Sequence, residues 1–391
     1  MDNLRSEPKF CRKCGHEKLV KKGKAYANIM KGIWRQKYEC AKCHFKFAWG
    51  KRQMSEPMPF KYQSQPIPPT DWKAYNEYQA EEAHMFDSLI DELLEQLSIE
   101  KIQKTGRPIS DIKDVIFCML LKVYYRRSAG RLMSTLEDYK QKGFLQKVPS
   151  RATILNYFNN KKLCGVLTSL IELSARPLVQ CDELVFGVDS TGFSTSRFGH
   201  WSVDKNNENQ ERVYRKAHIT IGVKTNVVTS AVLTDQFVGD APQLKYLVKR
   251  TALAFDVKEV VADKGYLSKE NYNFIDEIGA TGFIPFKSNS NERGRGNGPV
   301  WRKALFFFQE NPQKFNEHYH KRSNVETTFY MIKQKFGDIL FTKNLTANFS
   351  EMACKIICHN ICCLIRAYYK FDLKNTFWTE VPKNQKVSFK A

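Results

Sequence analysis

Apolar residues recur at helical spacing over Glu81–Leu97 and Ile109–Tyr125, so the stretch from Asp71 to about Leu178 is predicted to be mostly helices. Arg107-Pro108-Ile109-Ser110 reads as the entry into the second of these. Ser150 heads a further short helix with Arg151, Thr153 and Asn156 near its start, for which two readings stand. It is either the recognition helix of a helix-turn-helix at 149–160, whose first residues reach base edges, or an ordinary capped helix of a bundle. After Leu178 the period changes. Leu184–Gly192, Ala217–Val223 and Val227–Leu233 are β-rich runs with short polar separators, which predicts a three-stranded antiparallel meander. Asp240 with Pro242 predicts a helix start, with Asp240 as its cap, leading into Gln243–Phe255. A strand at Val257–Ala262, a helix near Glu270–Ile278 and a strand at Thr281–Pro285 follow.

Helical spacing returns in Tyr319-His-Lys-Arg322-Ser-Asn-Val-Glu326-Thr-Thr-Phe-Tyr-Met-Ile-Lys333. At about 100° per residue, Tyr319, Arg322, Glu326 and Lys333 share an arc of about 60°. Val325, Phe329, Ile332 and Phe336 form the neighbouring apolar stripe, as a helix docked on a core requires. Taken by itself this is an amphipathic helix with a charged edge. Its company changes that reading. The run Leu184–Val188 ends in Asp189, and Val257–Ala262 ends in Asp263; a carboxylate closing a buried strand needs a cap, a turn or a cation. In a βββαβα order of the RNase H type, the first and fourth strands are central neighbours. Asp189 and Asp263 then project together, with the later helix bringing Glu326 over them. Three such carboxylates suit two Mg²⁺ (or Mn²⁺) ions about 4 Å apart, an arrangement for in-line displacement at phosphorus.

The chain has 391 residues, with 62 Lys and Arg against 41 Asp and Glu, a net charge of +21. An excess of that size points to a polyanion, with nucleic acid ahead of an anionic membrane surface. There is no apolar run of transmembrane length and no signal peptide, so a soluble intracellular protein is expected. Of 11 cysteines, four form the pairs Cys11-Arg-Lys-Cys14 and Cys40-Ala-Lys-Cys43. Four thiolates in two such knuckles fit a closed tetrahedral Zn²⁺ site, and a redox role lacks the βαβ pattern that should follow it. His16 and His44 are read as bystanders. Basic and aromatic residues interleave around the knuckles, a composition that suits either a nucleic-acid-binding ribbon or a solvated basic face. Cys354, Cys358 and Cys362, at i, i+4 and i+8, are read as a core stripe.

These residues justify a comparison. The chain resembles the DDE transposases of prokaryotic insertion sequences, in the branch marked by Tyr-x2-Arg-x3-Glu-x6-Lys. Tyr319, Arg322, Glu326 and Lys333 match that spacing, and Asp189 and Asp263 match the two catalytic aspartates. The resemblance covers about 180 to 365. It implies Asp189, Asp263 and Glu326 as catalytic Mg²⁺ ligands, with Tyr319, Arg322 and Lys333 on phosphates of the end strand. It further implies binding of double-stranded DNA at terminal inverted repeats, cleavage there, and transfer of the freed 3′-hydroxyl to target DNA. A homodimer or larger synaptic assembly in a prokaryotic cytoplasm, nucleoid-associated when DNA-bound, goes with it. Two rival functions are a transposase-derived regulator without catalysis and an RNase H-like nuclease without strand transfer. Trp301, in an insertion before the helix, is either a base-stacking residue, as in some relatives, or a core Trp.

The expected architecture is a multidomain α+β protein. It comprises a zinc ribbon (1–50), a stiff Pro-rich linker (51–70), and a helical DNA-binding segment (71–178). An RNase H-like α/β catalytic domain (179–341) follows, with a mixed five-stranded sheet and an insertion at about 287–318. A C-terminal helical segment and tail (342–391) complete the chain. Lys287–Val300, Gly-rich and basic, is expected to be a mobile loop ordered by DNA.

Overall fold

A computed structural model describes residues 8–28, 33–54, 71–100, 110–195, 213–290, 298–371, 373, 377–378 and 387–390. The linker expected over 51–70 lies outside the described residues from 55 onward, and so do 291–297 of the Gly-rich loop. Contacts divide the chain into two units, 1–63 with 286–313, and 64–285 with 314–391.

In the first unit, β1 (Leu19–Asn28), β2 (Ile33–Cys40) and β3 (Lys46–Met54) form an antiparallel sheet in that order. One CxxC knuckle precedes β1 and the other links β2 to β3. The knuckles repeat one geometry: Gly15 and His44, each following the second cysteine, have φ of +73° and +53°. Gly15 and His44 donate their backbone N–H to the carbonyls of Cys11 and Cys40, at 2.8 and 3.0 Å. Glycine adopts this left-handed turn freely, whereas His44 holds it against a steric cost.

The second unit begins with helices α1 (Trp72–Glu95), α2 (Ile112–Tyr124), α3 (Ala129–Gln141), α4 (Arg151–Phe158) and α5 (Lys161–Ala175). Each starts where the sequence supplies a short polar side chain. Asp71, Asp111, Ser128, Ser150 and Asn160 accept hydrogen bonds from the free N–H groups of the first turns. The segment Lys142–Ser150 between α3 and α4 is longer than the three to four residues, roughly, of a helix-turn-helix turn. A short strand β4 (Leu97–Glu100) follows α1.

The sheet is built from β5 (Val185–Ser194), β6 (Tyr214–Gly222), β7 (Val228–Asp235), β8 (Glu259–Ala262) and β9 (Thr281–Phe283). Its order is β7-β6-β5-β8-β9, with β6 antiparallel to β5 and β7 and the pairs β5–β8 and β8–β9 parallel. This is the mixed five-stranded sheet expected from the sequence, first and fourth strands side by side. α6 (Ala241–Thr251) and α7 (Lys269–Glu277) make the crossovers. The chain then passes through the first unit with α8 (Pro299–Glu310) and returns in α9 (Pro312–Tyr319).

A tight turn over His320–Arg322 separates α9 from α10 (Ser323–Phe336). Tyr319 thus closes one helix and Glu326 sits in the first turn of the next. The single helix suggested by the spacing from Tyr319 is broken, yet the turn keeps the polar residues together. α11 (Leu345–Phe371) packs on α1, α2, α5, α10 and β7, and is buried along most of its length. Cys354 and Cys358 lie in that core with no exposed surface, as the apolar spacing indicated. β10 (Val387–Lys390) pairs in parallel with β4.

Candidate active site

The register of β5 on β8 creates the site. Val188 lies opposite Ala262, so Asp189 and Asp263, one residue further on, leave two adjacent parallel strands side by side. Alternation puts Gly187, Asp189, Thr191 and Phe193 on one face of β5, and α10 covers that face. Gly187 makes the docking close: a Cβ there would lie less than 3.0 Å from Val325 Cγ2. Val325 is fully buried and Glu326 follows it, so the absence of a side chain at 187 sets how near the third carboxylate comes.

Arg322 bridges the carboxylates. Its Nη1 donates to Asp189 Oδ2 at 2.6 Å, and its Nη2 donates to Glu326 Oε1. Burial pushes the Asp189 carboxyl up to about 6, and the Asp263 and Glu326 charges add to this. The Ser190 N–H, 2.8 Å from Asp189 Oδ1, and Arg322 work in the opposite direction. Positive charge brought near such a carboxylate favours its ionised form. Asp263 accepts from the Gly265 N–H at 2.8 Å, using one oxygen to cap its own turn. Glu326 is exposed. Asp189, Asp263 and Glu326 offer carboxylate oxygens, the donor type that hard divalent cations take, whereas among the described residues only the four cysteines stand within 4.8 Å of one another as a ligand set.

The remaining motif residues line the same face. Lys333 Nζ donates to Thr191 Oγ1 at 2.7 Å and lies 5.4 Å from the centre of the Phe193 ring. Tyr319 is half-buried, stacked on Phe315 with 6.0 Å between ring centres, and the Arg322 guanidinium lies 6.0 Å from its own ring. Glu259, heading β8 and 1% exposed, pairs with His318 and, at 3.1 Å, with Lys321. His318 in turn stacks on Phe283 at 4.3 Å. These contacts fasten the turn between α9 and α10 to the sheet and thereby aim Arg322. The sequence held one sign of this: an acid opening an otherwise apolar strand.

Asp240 corrects a sequence expectation. It stands at the N-cap position of α6, but its side chain caps nothing. The carboxylate accepts from Lys216 Nζ at 2.7 Å and Ser190 Oγ at 2.9 Å, and lies 3.3 Å from His218 Nδ1. Pro242 pre-sets the first turn, which frees Asp240 for this cluster behind Asp189. Burial, then the neighbouring Lys216, pushes His218 down to about 4.

In the first unit, Cys11, Cys14, Cys40 and Cys43 bring their sulfurs within 4.8 Å of one another. Cross-knuckle pairs stand at 3.6 Å (Cys11–Cys43) and 3.5 Å (Cys14–Cys40). A tetrahedron of Zn–S bonds of about 2.3 Å has S···S edges of about 3.8 Å, so the four thiols fit that ion. His16 and His44 stand outside the cluster, and His44 Nδ1 lies 3.2 Å from Glu39 instead. Trp301 is 7% exposed and packs edge to face on Phe286 at 4.9 Å, so its ring is enclosed and not offered to an extruded base. Arg151 and Asn156 are both exposed on α4, outside the carboxylate site. Among the described residues no helix is long and apolar enough to cross a membrane.

Residues 180–361 match the family model described as the transposase DDE domain, a span that contains all three carboxylates and the Tyr-Arg-Glu-Lys residues. That match supports a DDE transposase, a family whose domains use a divalent metal and bind DNA. No solved structure matches the chain.

Proposed function

We propose that the chain is an insertion-sequence transposase that binds the terminal inverted repeats of its element, cleaves DNA at those ends and joins the 3′-hydroxyl to target DNA. The observation that carries this reading is that Asp189 and Asp263 follow the ends of two adjacent parallel strands, with Arg322 joining Asp189 to Glu326 on the closely docked helix. The sheet order and parallel central pair support an RNase H-like catalytic domain. Asp189, Asp263 and Glu326 would hold two Mg²⁺ or Mn²⁺ ions. When bound, these ions activate the attacking oxygen and stabilise the leaving one at phosphorus.

The chain's own residues prepare that site. Arg322 pairs with both Asp189 and Glu326 and so ties the two carboxylates to one guanidinium. Its planar fork also suits a phosphate, and Lys333 offers a point charge beside it. Tyr319, Arg322 and Lys333 would thus hold the end strand against the carboxylates. The four-cysteine ribbon, as a zinc module with a basic surface, would add contacts to the end sequence. Synapsis of two ends calls for a homodimer or a larger assembly.

The test is Asp263→Ala. Mg²⁺-dependent nicking of a duplex carrying the element's end should disappear while binding of that duplex stays near wild type. Full nicking by this variant would remove the assignment.

A further inference from the structure

The cations on the α10 side of β5 do not stop at Lys333. Lys355, on α11 and 1% exposed, lies 5.5 Å from the centre of the same Phe193 ring. It donates to the Gly337 and Ile339 carbonyls at 2.8 and 2.9 Å, just past the end of α10. Beyond it opens a cavity of about 890 Å³ between the ends of α2 and α10, the start of α3, α4 and the segment 341–344. Arg126, Arg127, Arg131, Arg151, Lys343 and Lys355 line it. Glu351 is the acid in its wall, and its oxygens are already engaged by the Phe341 and Thr342 N–H groups. Arg126, Arg131, Arg151 and Lys343 are exposed and have no carboxylate partner among the described residues.

Arg126 adds an independent sign. The Arg127 N–H reaches the Lys122 carbonyl at 3.2 Å, and the Arg126 N–H reaches the Val123 carbonyl at 3.1 Å. This paired closure of α2 places Arg126 in the left-handed position, φ +52°, that glycine favours. An arginine held in this position at a helix end, with its guanidinium laid close to Gly337 just past α10, keeps that conformation for its side chain. Four exposed cations with no carboxylate partner, against the single acid Glu351 in the lining, repel one another, so the cluster is satisfied when an anion fills the cavity. A volume of this size and several separated cations suit a row of phosphates better than one.

We propose that this groove binds the sugar-phosphate backbone of duplex DNA continuing from the strand held at Asp189, Asp263 and Glu326. The proposal rests on the reading of that site as DNA-cleaving. From Glu326 to Phe336 α10 rises about 15 Å, so the groove meets the backbone about four to five base pairs from the scissile phosphate. Arg126, Arg131, Arg151 and Lys343 each take a phosphate there, without reading sequence.

The test uses the full chain and a fluorescein-labelled duplex of arbitrary sequence, with binding followed by anisotropy across a KCl series. The variant Arg126→Gly/Arg131→Ala/Lys343→Ala is compared with Lys140→Ala/Lys249→Ala, which removes exposed charge outside the groove. The groove variant is expected to bind at least tenfold more weakly at low salt. Its log–log salt slope should flatten by about 0.9 for each of the three contacts, while the control keeps the wild-type slope. Arg126→Gly alone should melt no lower than wild type, because it relieves the turn, yet should still weaken binding; a merely structural arginine would not do this. Wild-type slope in the groove variant would overturn the proposal and leave the DNA-cleaving site untouched. Inorganic phosphate displacing the duplex beyond ionic-strength-matched KCl, or tighter binding of duplex RNA than of duplex DNA, would also overturn it. No binding of any duplex by the wild type would overturn both this proposal and the function on which it rests.

Discussion

Replacing Gly187 with alanine tests how Glu326 is held. The added methyl would meet Val325 Cγ2 at less than 3.0 Å, whereas ordinary contact begins at 3.4 Å, so something must give by at least 0.4 Å. Its other neighbours, Ile221 at 3.5 Å and Val261 at 3.7 Å, would be in normal contact, so the strain falls on Val325. Val325 is fully buried, so the strain is relieved by shifting its side chain and α10 away from β5. Overpacking of this kind costs about 1–3 kcal/mol, and a catalytic group displaced by about 1 Å loses on the order of a hundredfold in rate. With the overlap shared between the Val325 side chain and α10, the expected outcome is a fall of about ten- to a hundredfold in Mg²⁺-dependent nicking at saturating DNA, with melting lowered by a few degrees. Adding Val325→Ala removes the colliding methyl and should return much of the rate. A double-mutant cycle on single-turnover nicking measures this directly. Strictly additive effects, or Gly187→Ala with wild-type rate and melting, would show that α10 is not docked through this contact.

Two further predictions concern stability and metal content. Burial holds His218 and His359 neutral, each pushed down to about 4. In the unfolded chain these imidazoles take protons near pH 6.5, so their stability is whole above that value and lost as pH falls toward 4. Urea melts at pH 7 and pH 5 should differ by about 2 kcal/mol for each, reduced in His359→Gln; equal pH dependence in wild type and variant would refute the burial argument. For the ribbon, freshly purified protein should carry one zinc per chain, and Cys40→Ser should lose it and weaken end binding while leaving the folding of 180–365 intact. Elemental analysis finding no zinc in the wild type would reject the four-cysteine site.

Much of this molecule was legible in the order of its residues, because the signals are local. The change from helical to strand spacing after Leu178 located the sheet. Its helix caps at Ser150 and elsewhere were short polar residues with nearby N–H donors. Two apolar runs ending in Asp189 and Asp263, and the two CxxC pairs, marked candidate chemistry through turns of a few residues. The fold decided what depends on distance through space. Asp240 reads as a cap beside Pro242, but Lys216 and Ser190 lie closer to its carboxylate than any free N–H. Trp301 stands in a basic, Gly-rich neighbourhood of sequence, yet Phe286 encloses it. Gly187 is one glycine among many until α10 presses on it, and Glu259 gains meaning only when His318 and Lys321 arrive from some sixty residues away. The cationic groove joins Arg126, Arg151 and Lys343, which no spacing rule connects. Pattern and propensity act along the chain, whereas charge and steric exclusion act across it, so the sequence marked the candidate groups and the tertiary structure chose their partners.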